Sequence, residues 1–421
     1  MADKQFQIVV FGASGFVGKL VAKHLAQDYV GKSNIRWAMA ARSEARLEKV
    51  RSDLAKTYPG MKDVPILVAD ATDQAAIDRV VKQTKVVIAC SGPYAKLGTP
   101  IVDACVRLGA HCVDITGEVP WVSRTIRKYH NEAAAKRVKI VHMCGFDSIP
   151  SDLGSLMVAT AMFNKHKRRT AKVRMLVGKS AGGFSGGTIA SLMGAMFDET
   201  SEELKLAADP YALNPPNAHS GPDGKDSWLP SHDKLAKKWT MPFVMQPINT
   251  RVVRRSNALL GNLYGDNFSY TEAMEVPNAI VAFLGSTVLA FVYIILSLRF
   301  LRPLVMKVLP SPGQGPTEKQ QVEGFWNARV WGVSEAAPGQ KPVIVTGRMA
   351  GKRDPGYWET SRMLLESGLC LALQEDELKK AGKLQGGVLT PASAMGMILV
   401  ERLNKAGMEF RVDSDAAVAE E

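Results

Sequence analysis

The stretch Gln7-Ile8-Val9-Val10-Phe11-Gly12-Ala13-Ser14-Gly15-Phe16-Val17-Gly18 limits what this chain can fold into more than any other. An apolar run enters a turn with glycines spaced G-x-x-G-x-x-G, and a helical pattern follows through Val17, Leu20, Val21, His24 and Leu25. A buried strand, a tight turn and a helix in that order form the βα unit that holds a dinucleotide. Gly12 reverses the chain. Gly15 leaves room for a phosphate and keeps a positive φ open, and Gly18 lets the helix lie close to the sheet. The helix N-terminus then faces the pyrophosphate, so Ser14, Phe16 and Val17 join Gly12, Gly15 and Gly18 in the expected cofactor-binding set. The spacing departs from the usual G-x-G-x-x-G, so the flanking strand and helix carry the assignment.

Strands and helices alternate after this unit, which predicts a doubly wound parallel sheet of the Rossmann type. The second strand, read over Ile35 to Ala41, ends at Arg42-Ser43. An acidic residue at that place binds the ribose hydroxyls of NAD and repels a 2′-phosphate; a guanidinium and a hydroxyl select NADP instead. A third strand ends at Asp70, expected beside the adenine, with Asp73 capping the next helix. The fourth, Val86 to Cys90, stops at Ser91-Gly92-Pro93-Tyr94, at the carboxyl edge where nicotinamide ribose and substrate belong. Tyr94 there either donates a proton or packs on the ring. The strand His111 to Asp114 runs into Ile115-Thr116-Gly117-Glu118, and Lys139 to Met143 is expected to close the sheet. In the loop that follows, Ser151 or Asp152 caps a helix starting at Leu153, while Asp147 and Ser148 reach toward the cofactor cleft.

Composition narrows the partners. A formal charge of +12 in 421 residues favours anions, and no aromatic residues interleave with the basic ones as in a nucleic-acid reader, so nucleotide phosphates or an anionic membrane are expected and nucleic acid is not. Five cysteines without ligand spacing read as reduced thiols of an intracellular protein, and no histidines pair at i, i+4, so no metal is expected. Met1 to Lys4 lead straight into the first strand and leave no room for a targeting peptide.

Together Gly12 to Gly18, Ala41-Arg42-Ser43, Cys90 to Tyr94, Asp114 to Glu118 and Cys144 to Gly154 resemble the saccharopine dehydrogenase-like oxidoreductases, a family that includes the trans-acting enoyl reductases of lipid synthesis. The resemblance spans most of the chain and is weakest from about Ala208 to Gln320. It implies NADP-dependent hydride transfer, and a chain that returns near its end to pack on the cofactor domain. It also extends to Gly182 to Thr188, a glycine-rich turn before a helical pattern, which places Ser185, Gly186 and Thr188 in a substrate pocket; a tight β-to-α connection is the other reading.

Beyond that turn, Ala208 to Pro242 reads as a long loop or lid. Ala279 to Leu298 is a twenty-residue run without a charge, about 30 Å long as a helix, followed by Arg299, Arg302, Pro303 and Lys307. Soluble-patterned strands after it argue against a simple span. It is expected to enter and leave a membrane or lipid-droplet surface on one face; a buried core helix is the alternative. Tyr357, in Asp354 to Ser361, is placed near the nicotinamide as a substrate contact, with Thr360 beside it and packing as the competing role.

The resulting architecture is a cofactor domain over residues 1–150 and an α+β substrate and homodimer domain over 151–390. A helix and strand over 391–412 return to the first domain, and a tail covers 413–421. The expected activity reduces a double bond or carbonyl of a lipid or acyl substrate. Saccharopine or other amino-acid oxidation, and a non-catalytic NADP-binding lipid-surface protein, are the rivals. No Tyr-x-x-x-Lys pair stands at the site, so Tyr94, Asp147 and Ser148 are the candidate catalytic residues by location alone.

Overall fold

The computed structural model describes residues 4–182, 199–298, 315–336 and 339–413. Up to His166, strands and helices alternate: β1 (Phe6–Phe11), α1 (Phe16–Asp28), β2 (Trp37–Ala41), α2 (Glu44–Ala55), β3 (Ile66–Val68), α3 (Gln74–Lys82), β4 (Thr84–Ala89), α4 (Tyr94–Leu108), β5 (His111–Asp114), α5 (Val119–Ala135), β6 (Lys139–Val141) and α6 (Ile149–His166). Ile8, Val9 and Val10 are all fully buried, as a strand covered on both faces requires. β1 pairs in parallel with β2 on one side and β4 on the other. The sheet therefore grows outward from β1 in two directions, and the crevice beside its carboxyl end is the topological switch point.

A second sheet takes up β7 (Thr170–Ala181), β8 (Ser231–Asp233), β9 (Lys238–Met241), β10 (Ser269–Val276), β11 (Phe325–Ser334) and β12 (Ile344–Gly351), with α7 (Gln246–Leu259) before β10 and α8 (Ala279–Ser297) after it. The chain then recrosses through α9 (Thr360–Leu373), β13 (Gly387–Leu389), α10 (Met397–Lys405) and β14 (Glu409–Val412). The first sheet has the order β13-β6-β5-β4-β1-β2-β3, the second β14-β12-β11-β7-β10-β9-β8. The first is parallel throughout; in the second only β7 and β10 run parallel.

Several expectations are corrected here. β6 does not close the first sheet, because Val388 pairs with Ile140 outside it. The domain limits move with it. α9 packs against β1, β4 and β5, so residues 360–389 belong to the cofactor layer and not to the second domain. The final strand does not return to the first sheet. β14 pairs with β12, and Phe410 sets its ring edge-on to Trp326 of β11. α6 starts four residues before Leu153, with Pro150 in its first turn where a missing N–H costs nothing. Ser151 and Asp152 thus lie inside the helix and cap nothing at its start.

The 208–242 stretch is also not a free lid. Three buried arginines of α7 strap it down: Arg251 pairs with Asp226, Arg254 pairs with Asp223 at 2.7 Å, and Arg255 donates to the Leu213 carbonyl. α8 is not a core helix either. Ile280 is 70% and Phe283 58% exposed, and the helix is long and apolar enough to cross a membrane.

Candidate cofactor-binding and active site

At the end of β1, Gly12 takes φ +86° and donates its N–H to the Ala40 carbonyl at 2.7 Å, while its own carbonyl accepts from the Gly15 N–H at 2.9 Å. The positive φ therefore belongs to Gly12. Gly15 sits at φ −79°, which any residue adopts, so its value is space and not conformation. A Cβ at Gly18 would fall on the Gly12 carbonyl oxygen, and a Cβ at Gly12 on the Ser91 hydroxyl. These two contacts clamp the turn to the end of β4. No side chain caps α1, so its first N–H groups, framed by Ser14, Phe16 and Val17, are left for an anion.

The far end of the crevice carries the predicted 2′-phosphate residues. Arg42 is exposed at the end of β2, and Ser43 caps α2, accepting from the Arg46 N–H at 3.4 Å. Asp70 accepts from the backbone and hydroxyl of Thr72, at 2.9 and 2.8 Å. Those bonds first, and the Arg42 charge last, hold its carboxyl below the usual range, so Arg42 and Asp70 share one neighbourhood. Asp73 caps α3 as the sequence predicts.

Around Ser91, Gly92 and Pro93 the picture changes. Tyr94 does not line the cleft. It opens α4, is 5% exposed, and donates its hydroxyl to the Ala89 carbonyl at 3.0 Å. Burial first, then the Asp114 charge, raises its pKa further. A hydroxyl spent on backbone and shut from water is not a proton donor, and its ring stacks on Trp121 at 5.7 Å. The carboxylate that organises this corner is Glu118, which accepts from the N–H groups of Tyr94 and Ala95 at 2.9 and 2.7 Å and so caps α4 from across the sheet. Asp114 and His142 form a second buried pair at 2.6 Å, with Thr125 on the other ring nitrogen at 2.9 Å. No local sequence pattern marks them as partners; the pairing of Val113 with Val141 sets the next residues of the two strands side by side.

The loop after β6 is the chemically open part. Gly145 packs on Thr360 and Ile115, and the Phe146 N–H donates to the Thr360 hydroxyl at 3.1 Å. Ser148 is turned inward and donates to Asn249 at 2.8 Å, so it serves α7 and not the cleft. Asp147 is half-buried, has no hydrogen-bond partner among the described residues, and loss of water around its carboxyl pushes its pKa up to about 6. Tyr357 stands edge-on to Phe16 with ring centroids 5.2 Å apart, which brings it to the mouth of the turn. Ser185, Gly186 and Thr188 lie outside the described residues; Gly182, just before them, abuts Asp354, whose carboxylate accepts from the Tyr357 N–H at 2.7 Å.

Residues 8–141 match the saccharopine dehydrogenase NADP-binding domain. Over 427 aligned residues, and 97% of each chain, this protein is 37% identical to a provisionally named trans-acting enoyl reductase of Mycobacterium tuberculosis. It belongs to the saccharopine dehydrogenase-like family, in the trans-acting enoyl reductase branch. The trans-acting enoyl reductase of Mycobacterium leprae is 34% identical over 96% of this chain and 97% of its own. Among solved structures, saccharopine dehydrogenase of Saccharomyces cerevisiae aligns over 97% of this chain and 99% of its own, at 14% identity and a TM-score of 0.48. The cofactor of this saccharopine dehydrogenase-like protein is NADP. Its residues fit that group: a glycine cradle that a Cβ would fill, an uncapped helix start, and a guanidinium where NAD would ask for a carboxylate.

Proposed function

We propose that this protein reduces a carbon-carbon or carbonyl double bond of an acyl lipid. NADPH supplies a hydride when bound at the crevice beside β1. The observation that carries the reading is Asp147, a half-buried carboxyl at the carboxyl edge of the sheet with no partner among the described residues and a pKa pushed up to about 6. A group titrating there holds a proton part of the time at neutral pH and returns it readily, which is what a general acid must do. Phe146, the residue before Asp147, donates its N–H to the Thr360 hydroxyl, and Tyr357 stands edge-on to Phe16 at the start of α1.

The test is NADPH oxidation over acyl, enoyl and sterol-like substrates, with saccharopine and NADP⁺ run in reverse. Turnover of an acyl substrate, reduced about 10²–10⁴-fold by Asp147→Asn with NADPH affinity kept, supports the assignment. Turnover of saccharopine instead makes this an amino-acid dehydrogenase, and tight NADPH binding without turnover makes it a non-catalytic binder.

α8 supports a lipid-surface location. β10 before it and β11 after it flank β7 in one sheet, so the helix leaves the fold and the chain comes back to it. Adsorption on one leaflet or on a droplet is compatible with that return, and a span is not. Flotation and protease protection with tags at both termini check it: a tag protected at one end only would establish a span.

A further inference from the structure

A cavity of about 400 Å³ lies at the β8–β9–β10 end of the second sheet, between those strands, the first turn of α7 and the 223–235 stretch. We propose that it binds the phosphate ester of a small polar alcohol, met free in solution or as the head group of a lipid, with Lys172, Lys225 and Lys234 on the phosphate.

The wall is charged, and its charges do not cancel. Its carboxylates are all engaged. Asp233 pairs with Arg174 at 2.6 Å and Asp223 with Arg254 at 2.7 Å, both arginines lining the same cavity, while Asp226 pairs with Arg251, which is not part of the wall. Glu272 accepts from Ser151, Tyr270 and Asn249, and burial pushes its pKa up to about 7, so it opposes an anion with less than a full charge at neutral pH. Lysines are left over. Lys172 comes from β7, Lys225 from the stretch before β8 and Lys234 from the turn between β8 and β9; all are exposed, and none has an ion pair or a hydrogen bond among the described residues. Lys238 of β9, outside the wall, does find a partner, in Glu275 at 3.4 Å.

Neutral donors complete the set. The Ser227 hydroxyl accepts from the Leu229 N–H at 3.3 Å and keeps its own proton to give, the Thr271 hydroxyl has no partner among the described residues, and the His232 ring carries an N–H in either tautomer. Ser231 and Thr240 bond each other at 3.0 Å and add only polarity. Several ammonium groups with hydroxyls between them call for an oxyanion of more than one charge. A phosphate monoester, with about two negative charges and three terminal oxygens, meets that need better than a carboxylate. The cavity is larger than a bare phosphate fills and falls in the range of small-molecule sites, so the alcohol enters with its phosphate. Its rim borders the apolar helix: Met241 packs against Gly285 of α8, and the Trp228 ring lies 5.9 Å from that of Tyr293. A head group at the surface on which α8 lies would reach the lysines. That second source rests on the lipid-surface reading of α8; the anion chemistry of the cavity does not.

Two arms separate the sources. Glycerol 3-phosphate is titrated into the full chain by calorimetry, and the chain is sedimented with vesicles of phosphatidylcholine alone or of equimolar phosphatidylcholine and phosphatidic acid. Saturable one-to-one binding of glycerol 3-phosphate shows that the free ester suffices. A preference for phosphatidic acid vesicles without it makes the occupant a head group, and binding to plain phosphatidylcholine reports α8 alone. In either arm the variant Lys172→Gln/Lys225→Gln/Lys234→Gln should lose affinity at least about tenfold. Lys62→Gln/Lys82→Gln/Lys380→Gln, which removes the same charge at exposed sites elsewhere, should keep the parent value. Melting temperatures at the parent value report intact folds for both. No glycerol 3-phosphate binding together with no preference for phosphatidic acid, parent-like binding by the first variant, or an equal loss in the two variants overturns the proposal. Glycerol 3-phosphate binding without any vesicle binding removes the lipid source and the surface reading of α8, and leaves the cavity as an anion site.

Discussion

The two sheets of this molecule hold their key groups by opposite means. At the end of β1 the geometry is made of backbone: Gly12 and Gly18 touch through a carbonyl, Gly12 meets Ser91, and no side chain caps α1. Around α7 and β10 it is made of side chains: Arg251, Arg254, Arg255, Asn249 and Glu272 are all buried and bonded to distant parts of the chain. The first region should tolerate changes of charge and fail on an added carbon. The second should tolerate added carbons and fail on a lost charge.

The largest effect that would break this contrast is in the second region. Arg254→Ala strands the Asp223 carboxylate, 6% exposed, and removes donors from the Pro210 and Tyr270 carbonyls. Breaking a buried pair this way costs about 3–5 kcal/mol. Urea unfolding should show that loss, while NADPH affinity of the folded fraction stays at the parent value; a matching loss of affinity would mean that the two regions are not separable.

Gly15→Val probes the other side. At φ −79° the backbone accepts a valine, and its Cβ would lie 3.2 Å from the Gly12 carbonyl oxygen, a tight contact but a tolerable one. The branched methyls would occupy the approach of the pyrophosphate. NADPH binding should fall by at least about 100-fold, or about 2.7 kcal/mol, with little change in melting temperature. Normal titration of NADPH fluorescence would remove the nucleotide from this turn.

The same contrast explains what the sequence showed. The turn Gly12 to Gly18, the strands on either side of it and the end of the second strand at Ala41 were legible because each is a local pattern. Asp73 as a cap was legible for the same reason. The choice between proton donor and packing at Tyr94 is not legible, because position at a strand end says nothing about which way a hydroxyl turns, and only the Ala89 carbonyl decides it. In sequence Ser148 looks like a cleft residue, and Ser151 and Asp152 look like caps. They are recruited by Asn249, Glu272 and Ser256, each about a hundred residues or more away. α7 left no signal that local reading could use, since its arginines appear as an ordinary solvated face until the 208–226 stretch folds over them.

A smaller effect sharpens the cofactor side. Arg42 is exposed, so Arg42→Ala should leave stability unchanged and lower the preference for NADPH over NADH. A guanidinium on a 2′-phosphate is a charge-assisted bond of about 1.5–3 kcal/mol, or roughly one to two decades of affinity. Calorimetry with both cofactors measures it. An unchanged ratio would take the 2′-phosphate away from Arg42 and place its recognition on the Ser43 hydroxyl and the start of α2.

The smallest effect is a pH slope in the second region. Burial first pushes Glu272 up to about 7 from an ordinary 4.5, against the pull of bonds from Tyr270, Ser151 and Asn249; the Asp226 charge adds to the rise. The folded protein then binds a proton that the unfolded chain has already lost. Stability must fall as pH rises through this window, because the native state carries more protons there. For these two values the fall is about 2 kcal/mol between pH 5 and pH 7. Asp152, also raised to about 7, slopes the same way, whereas His24, lowered to about 3 by burial, gains stability as pH rises. The whole-protein slope mixes these signs, so the informative quantity is the difference between parent and Glu272→Gln. Glutamine cannot ionise and keeps a carbonyl for Tyr270 or Asn249. The variant should lose that contribution and so be more stable relative to the parent at pH 7 than at pH 5, by about 2 kcal/mol. Parallel urea profiles at both pH values would mean that Glu272 is already ionised in the folded protein, with the three hydrogen bonds outweighing its burial.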